Sequence, residues 1–231
     1  MYCGGKTLLC KISLQAKDSM SPLDKNQLNE ITQITLGHYN QNAEGFREGT
    51  WDHDVTQNYQ ALLDALPDPG PHKILDLGCG PGRDLVYFKE KGHEPVGLEG
   101  SPTFVQMARK ISGCAVWEQN FLSMDLPDNY FDGIFANASL FHVPRQELSR
   151  VLSQFHQTLK ESGILFSSNP RGNEEGWHGT RYGVYMEREE YQTYLENAGF
   201  KVLHHYYRPT GKPRKEQPWL AVVSQKLGPS P

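Results

Sequence analysis

The chain predicts an α/β fold: a doubly wound, mainly parallel seven-stranded sheet with helices on both faces and a terminal antiparallel hairpin. From Lys73 onward short apolar runs alternate with amphipathic helical stretches, the order that a parallel sheet with crossover helices requires. The first of these runs, KILDLG, leads straight into the turn Gly-Cys-Gly-Pro-Gly at residues 78–82 and then into a helical stretch. Such a turn has few Cβ atoms on the side where open α/β sheets bind ligands. The last two apolar runs, KVLHHYYR and WLAVVSQK, lie back to back across a short polar connection, as a hairpin does.

The elements follow in order. Residues 1–22 show no sustained period and end in SMSP, so they are expected to be a poorly ordered leader. Residues 23–231 are expected to form a single domain, with a helical segment at 23–72 and the sheet-bearing core at 73–226. In the helical segment Leu28, Ile31 and Ile34, then Val55, Tyr59, Leu62, Leu63 and Leu66, stand at helical spacing, and the second group stops at the proline-rich residues 67–71. In the core KILDLG, EPVGLEG, CAVWEQN, YFDGIFANA and GILFSSN read as strands. GRDLVYFKEKG, PTFVQMARKI and PRQELSRVLSQFHQTLKESG read as the helices between them, the last with an apolar stripe of Leu148, Val151, Leu152, Phe155 and Leu159. EREEYQTYLENAGF is a further helix, closed by Gly199.

Composition narrows the function. With 37% hydrophobic and 22% charged residues the chain has the apolar surface that folding needs, and its net charge of −4 gives no basic field to attract nucleic acid or anionic membranes. No apolar run approaches membrane-spanning length. The four cysteines form no Cys-x-x-Cys pair, so a reducing cytoplasm is the expected compartment. GGKT at residues 4–7 lacks the upstream glycine of a P-loop. Glu174, Glu175 and His178 match no metal-site spacing, and no metal is expected.

The glycine turn runs G-x-G-x-G, with Arg83 where a dinucleotide fingerprint needs its third glycine, which disfavours a nicotinamide cofactor. Asp76 lies two residues before Gly78, placed to organise the loop backbone or to meet a ligand ammonium. Glu99 ends the next strand, 23 residues after Asp76, near the offset at which an acid meets ribose hydroxyls. Together ILDLGCGPG, VGLEGSP and FDGIFANASLFHVP resemble the S-adenosylmethionine-dependent methyltransferases with the Rossmann-like fold, of the type 11/25-like small-molecule class. The resemblance implies that Asp76, Gly78, Gly80 and Gly82 hold the methionyl part of S-adenosylmethionine and that Glu99 takes the ribose, with Cys79, Gly100 and Ser101 also at the cofactor. It implies that Asn120 and Phe121 stand near the adenine, although aspartate is commoner than asparagine there. It places Asn137 and His142 at the cofactor and reaction centre, and it makes residues 23–72 a lid in which Tyr39, Ala43 and Phe46 face the site. Cys79 has no histidine beside it in sequence and reads as a packed residue rather than a nucleophile.

Two segments outside that frame are candidate acceptor walls. Residues 37–54 carry Trp51 and His53, and residues 167–185, with four glycines, read as a loop carrying Arg171, Trp177, Arg181 and Tyr182. Arginines there can fix an anionic group on a small-molecule acceptor; equally, they can be solvated surface. Where the acceptor arrives protonated, His142 or His53 is the expected base. The basic stretch YRPTGKPRK is expected only to decorate the hairpin connection. A nicotinamide oxidoreductase and a non-catalytic cofactor-binding partner protein are the competing readings, and the oligomeric state is not legible.

Overall fold

The structure is a computed structural model that describes residues 22–67 and 69–228. The leader expected at residues 1–22 lies almost wholly outside them. Five strands are parallel: β1 (Lys73–Leu77), β2 (Glu94–Glu99), β3 (Ala115–Glu118), β4 (Phe131–Asn137) and β5 (Leu159–Pro170). A hairpin of β6 (Glu175–His178) and β7 (Arg181–Val184) stands apart as its own two-stranded sheet. β8 (Phe200–Arg208) and β9 (Trp219–Lys226) complete the main sheet, in the order β3-β2-β1-β4-β5-β9-β8, with β9 antiparallel to both neighbours. Because β8 reverses β9, it runs the same way as the parallel strands. The β8–β9 connection therefore lies at the carboxyl edge of the sheet, together with the ends of β1 to β5.

Among the described residues seven α-helices flank these strands: α1 (Lys25–Gln41), α2 (Ala43–Thr50), α3 (Thr56–Leu63), α4 (Arg83–Glu90), α5 (Pro102–Ser112), α6 (Arg145–Thr158) and α7 (Arg188–Asn197). Local chemistry sets their ends. Asp24 and Gln27 form a capping box at the start of α1. Ser101 caps α5 by accepting from the Phe104 N–H, Pro102 opens the helix, and Gly113 closes it in a left-handed conformation. The α6 stripe of Leu148, Val151, Leu152 and Phe155 is buried against the sheet. On the opposite face Leu62 and Leu66 of α3 and its following turn pack with Phe88, Phe135 and Phe166. Phe135 and Phe166 stack across β4 and β5 with centroids 4.9 Å apart, and truncating such a ring costs about 3–5 kcal/mol.

Three expectations are corrected. The polar stretch at 37–54 is helical over most of its length, because α1 continues to Gln41 and α2 follows after one residue. The helix expected through residue 163 ends at Thr158: Leu159 pairs with Phe131 as the first residue of β5, and Ser162 turns the chain at a φ of 59°. The loop expected at 167–185 contains the β6–β7 hairpin, whose Trp177 and Tyr182 face each other across the two strands.

Candidate active site

One cavity of about 520 Å³ follows the carboxyl edge of the sheet, within the range of small-molecule sites. Its wall runs from Asn120 and Phe121 after β3, past Glu99 of β2, to the glycine turn after β1. From there it continues past Asn137 and Ala138 at the end of β4 and Ser168 of β5 to Trp219 and Arg208 of the terminal hairpin. Helix α1 covers it with Ile31, Leu36 and Tyr39, and α2 with Phe46. The Tyr39 and Phe46 rings meet edge to face at 5.6 Å, and each also packs on Phe104 of α5.

The glycine turn has a different reason for each glycine. A Cβ on Gly78 would lie 2.6 Å from Ser139 Cβ, so this glycine lets β1 and the end of β4 close together. A Cβ on Gly80 meets only Phe46 Cε1 at 3.9 Å, and the residue has a φ of +51°; its bare backbone borders the cavity. Gly82 does not border it, which corrects the expectation of ligand contact: Ala108 of α5 stands 2.9 Å from where its Cβ would be, so the residue serves the approach of α4 to α5. Cys79 borders the cavity with its thiol buried, and burial pushes the thiol pKa well up, so it is no thiolate nucleophile.

Glu99 is buried and held by the loop it serves. Its Oε2 accepts the Gly80 N–H at 3.0 Å and its Oε1 the Ser101 N–H at 2.8 Å, leaving each oxygen a further lone pair at the cavity wall. Burial raises its pKa above the ordinary value, against the pull of the Ser101, Gly80 and Gly100 N–H groups. Gly100 borders the cavity, but Ser101, expected at the cofactor, is fully buried off its wall, capping α5 and donating to Asn40 Oδ1 at 2.5 Å as a brace between α1 and α5. Asp76 lies beneath the turn rather than on the cavity wall. Its Oδ2 is buried without a hydrogen-bond partner among the described residues. Burial first, then the charges of Asp84 and Glu99, push its carboxyl well above the usual range, while Arg83 pulls the other way.

Asn137 borders the cavity with its amide fixed at both ends, accepting from Asn58 Nδ2 at 2.9 Å and donating to Asp84 Oδ2 at 3.3 Å. Asp84 Oδ1 takes the Tyr59 hydroxyl at 2.5 Å and Arg83 Nε at 2.6 Å. The Tyr206 hydroxyl of β8 donates to Asn58 Oδ1 at 2.9 Å, extending this network from the glycine turn to the terminal hairpin. Asn120 borders the cavity too, but its side chain is engaged in its own turn, donating to Ser123 Oγ and accepting from the Leu122 N–H.

His142 Nδ1 lies 2.6 Å from the Tyr182 carbonyl, which can only accept, so Nδ1 holds the proton and the Nε2 lone pair faces the Tyr39 hydroxyl at 2.8 Å. Burial lowers the imidazole to about 4; the Tyr182 carbonyl pulls up and Arg181, His38 and His178 push down. The ring is therefore neutral at physiological pH. His53 is an exposed residue at the cavity rim.

The expected acceptor residues fare differently. Arg171 is not on the cavity wall: it is spent on Glu187 at 3.1 Å and on the carbonyls of Gln217 and Arg214, bracing the hairpin connection. Tyr182 is buried in the core with its hydroxyl on Glu175, and contributes through its carbonyl only. Trp51 does not border the cavity, and Arg181 stands beside Tyr39 rather than on the wall. Among the residues that sequence reasoning missed are Arg208, Pro209 and Trp219. Their signal was topological: a hairpin whose connection returns to the carboxyl edge brings its own residues to the site.

Comparison with known proteins bears on this cavity directly. Residues 74–163, which carry the glycine turn, Glu99 and Asn137, match the family model described as a methyltransferase domain. An uncharacterised methyltransferase of Synechocystis sp. is 32% identical over 109 residues, covering 46% of this chain and 51% of that protein. The trans-aconitate 2-methyltransferase of Variovorax paradoxus is 30% identical over 131 residues, covering 55% and 50%. The chain thus spans about half the length of these two curated relatives. Among solved structures, the 1,6-didemethyltoxoflavin-N1-methyltransferase of Burkholderia thailandensis, with 1,6-didemethyltoxoflavin and S-adenosylhomocysteine bound, shares the fold at a TM-score of 0.72 and 21% identity, covering 90% of this chain and 93% of that one. Through its residues 74–163 the chain is thus similar to a methyltransferase domain.

Proposed function

We propose that the protein transfers the methyl group of S-adenosylmethionine to a small-molecule acceptor. The observation that carries this reading is the buried Glu99 carboxylate, bound to the Gly80 N–H and open to the same cavity as the bare glycine turn. The residues suit the cofactor's charge as well. Asp76, Asp84 and Glu99 surround the turn with Arg83 as their nearby cation, so the acids outnumber the cation around the site of a positively charged ligand. The small-molecule part rests on a cavity of about 520 Å³ and on similar proteins whose names specify trans-aconitate and 1,6-didemethyltoxoflavin.

S-adenosylmethionine supplies a methyl carbon on a sulfonium, an electrophile that needs only an aligned nucleophile and exclusion of water. The roles assigned to this chain are positional. Gly78 and Gly80 give the backbone its close approach, Asn137 is held rigid by Asn58 and Asp84, and Leu36, Tyr39 and Phe46 exclude water from above. Tyr39 and His142 are the pair that can take a proton. The acceptor proton passes to the Tyr39 oxygen as the Tyr39 proton passes to His142 Nε2. An imidazole near pKa 4 is a weak base, so this pair takes the proton only as bond formation acidifies the acceptor.

Tyr39→Phe removes the relay and keeps the ring packing, so kcat for an acceptor that must lose a proton should fall about 10²-fold. The acceptor KM should change much less, and His142→Asn should give the same split. A loss in KM alone in both variants would return the pair to packing. The function itself is tested with methyl-labelled cofactor, the protein and a deproteinised cell extract: transfer of label to a small metabolite supports it. Tighter calorimetric binding of NAD than of S-adenosylhomocysteine would favour the oxidoreductase reading instead.

A further inference from the structure

The cavity has a second end. Glu99 and the glycine turn occupy the β2–β1 side of the sheet, whereas Ser168, Trp219 and Arg208 line the cavity across β5, β9 and β8. The strand register places these residues. Asn137 pairs with Ser168, Ser168 with Ala221, and Ala221 with Tyr206, making one row across four strands on the face that Asn58 spans. The next row toward the carboxyl edge is Pro170, Trp219 and Arg208. Residues directly opposite in an antiparallel pair share a face with Cβ atoms about 5 Å apart, so Trp219 and Arg208 are neighbouring residues on the cavity wall.

Two features of this end point to a ligand. Ser168 Oγ is buried, borders the cavity, and has no hydrogen-bond partner among the described residues, and a buried polar atom without a partner is costly unless something supplies one. Of the two arginines on the cavity wall, Arg83 is committed to Asp84 and the Thr50 carbonyl. Arg208 makes one long bond, from Nη2 to the Asp54 carbonyl at 3.3 Å, and pairs with no carboxylate among the described residues. The nearby Asp54 carboxylate accepts the Thr56 N–H at 2.9 Å. Most of the Arg208 fork is thus without a hydrogen bond, on the cavity wall that Trp219 and Ser168 also line.

Resting on the methyltransferase reading, we infer that this end of the cavity is the acceptor subsite and that it takes a flat molecule bearing a carboxylate. Arg208 holds the carboxylate, Trp219 and Pro209 carry the ring or conjugated plane, and Ser168 meets a polar atom toward the centre of the sheet. Arginine matches a carboxylate with two parallel N–H bonds and so fixes direction as well as distance, which is what an in-line transfer requires of its acceptor.

The test uses the full chain saturated with S-adenosylhomocysteine and a panel of aromatic carboxylates, including 4-hydroxybenzoate, each paired with its methyl ester. Binding is read by calorimetry and saturation-transfer NMR. The expected result is that one or more acids bind at least about tenfold tighter than their esters. Arg208→Gln should abolish that preference, and Arg208→Lys, which keeps the charge but loses the fork, should reduce it. Arg208 is half-buried on a terminal strand, and a melting curve of each variant separates loss of the subsite from loss of the fold. Esters binding as well as acids, no acid binding at all, or a preference that survives Arg208→Gln in a folded protein would each overturn the inference. Titration of the wild type with S-adenosylhomocysteine alone comes first: failure at that step counts against the cofactor reading, not the subsite.

Discussion

Replacing Gly80 with valine should abolish measurable binding of S-adenosylmethionine and leave the fold standing. The space a Cβ would enter is open except for Phe46 Cε1 at 3.9 Å, so the new side chain meets the ligand before it meets the protein. The backbone conformation, at a φ of +51°, costs a non-glycine residue about 1–2 kcal/mol, and for a chain of this length that lowers Tm by a few degrees. Calorimetry and a melting curve together decide it. A Gly80→Val variant that binds the cofactor like wild type would show that the turn is not the ligand cradle. Gly78→Val is the contrasting control: its Cβ collides with Ser139, so there the melting temperature should suffer first.

Glu99→Gln should weaken cofactor binding by about 10- to 100-fold, since a hydrogen bond to a charged group contributes about 1.5–3 kcal/mol. The loss has two sources. The amide no longer offers a charged acceptor to hydroxyl donors in the cavity, and its NH₂ must face one of the two N–H groups, Gly80 or Ser101, that the carboxylate now satisfies. A 2′-deoxyribose analogue of the cofactor separates the two: if it binds wild type as tightly as the ribose form, Glu99 serves the loop alone.

The parts of this molecule that were legible in sequence are those whose signal is local. Alternating strands and helices, the bare turn at Gly78 to Gly82 and the acid ending β2 are written within a few residues of each other, and backbone geometry follows from them. The β5–β9–β8 end of the cavity was less legible, because its residues are brought together by strand pairing across long sequence separations. Arg171 and Arg208 look alike in the sequence; only the partners Glu187, Gln217 and Arg214 show that the first is occupied with structure. Tyr182 shows the same limit, since it reaches the site by its carbonyl oxygen, which no side-chain pattern announces. The β6–β7 hairpin was hidden by glycines at 176, 179 and 183 that suggested irregular chain.

The crowding of acids around the glycine turn also couples folding to the proton. Asp76 and Glu99 both have pKa values raised by burial above those of an unfolded chain. The folded protein therefore holds protons that the unfolded chain has released, and as pH climbs through these raised values toward neutrality the ligand-free fold loses stability. A cation lodged among the carboxylates opposes that loss. S-adenosylmethionine should consequently raise the melting temperature more at pH 7 than at pH 5, and its binding should release protons from these carboxylates. The turn thereby acts as an electrostatic spring, loaded by deprotonation and relaxed by the positive charge of its ligand.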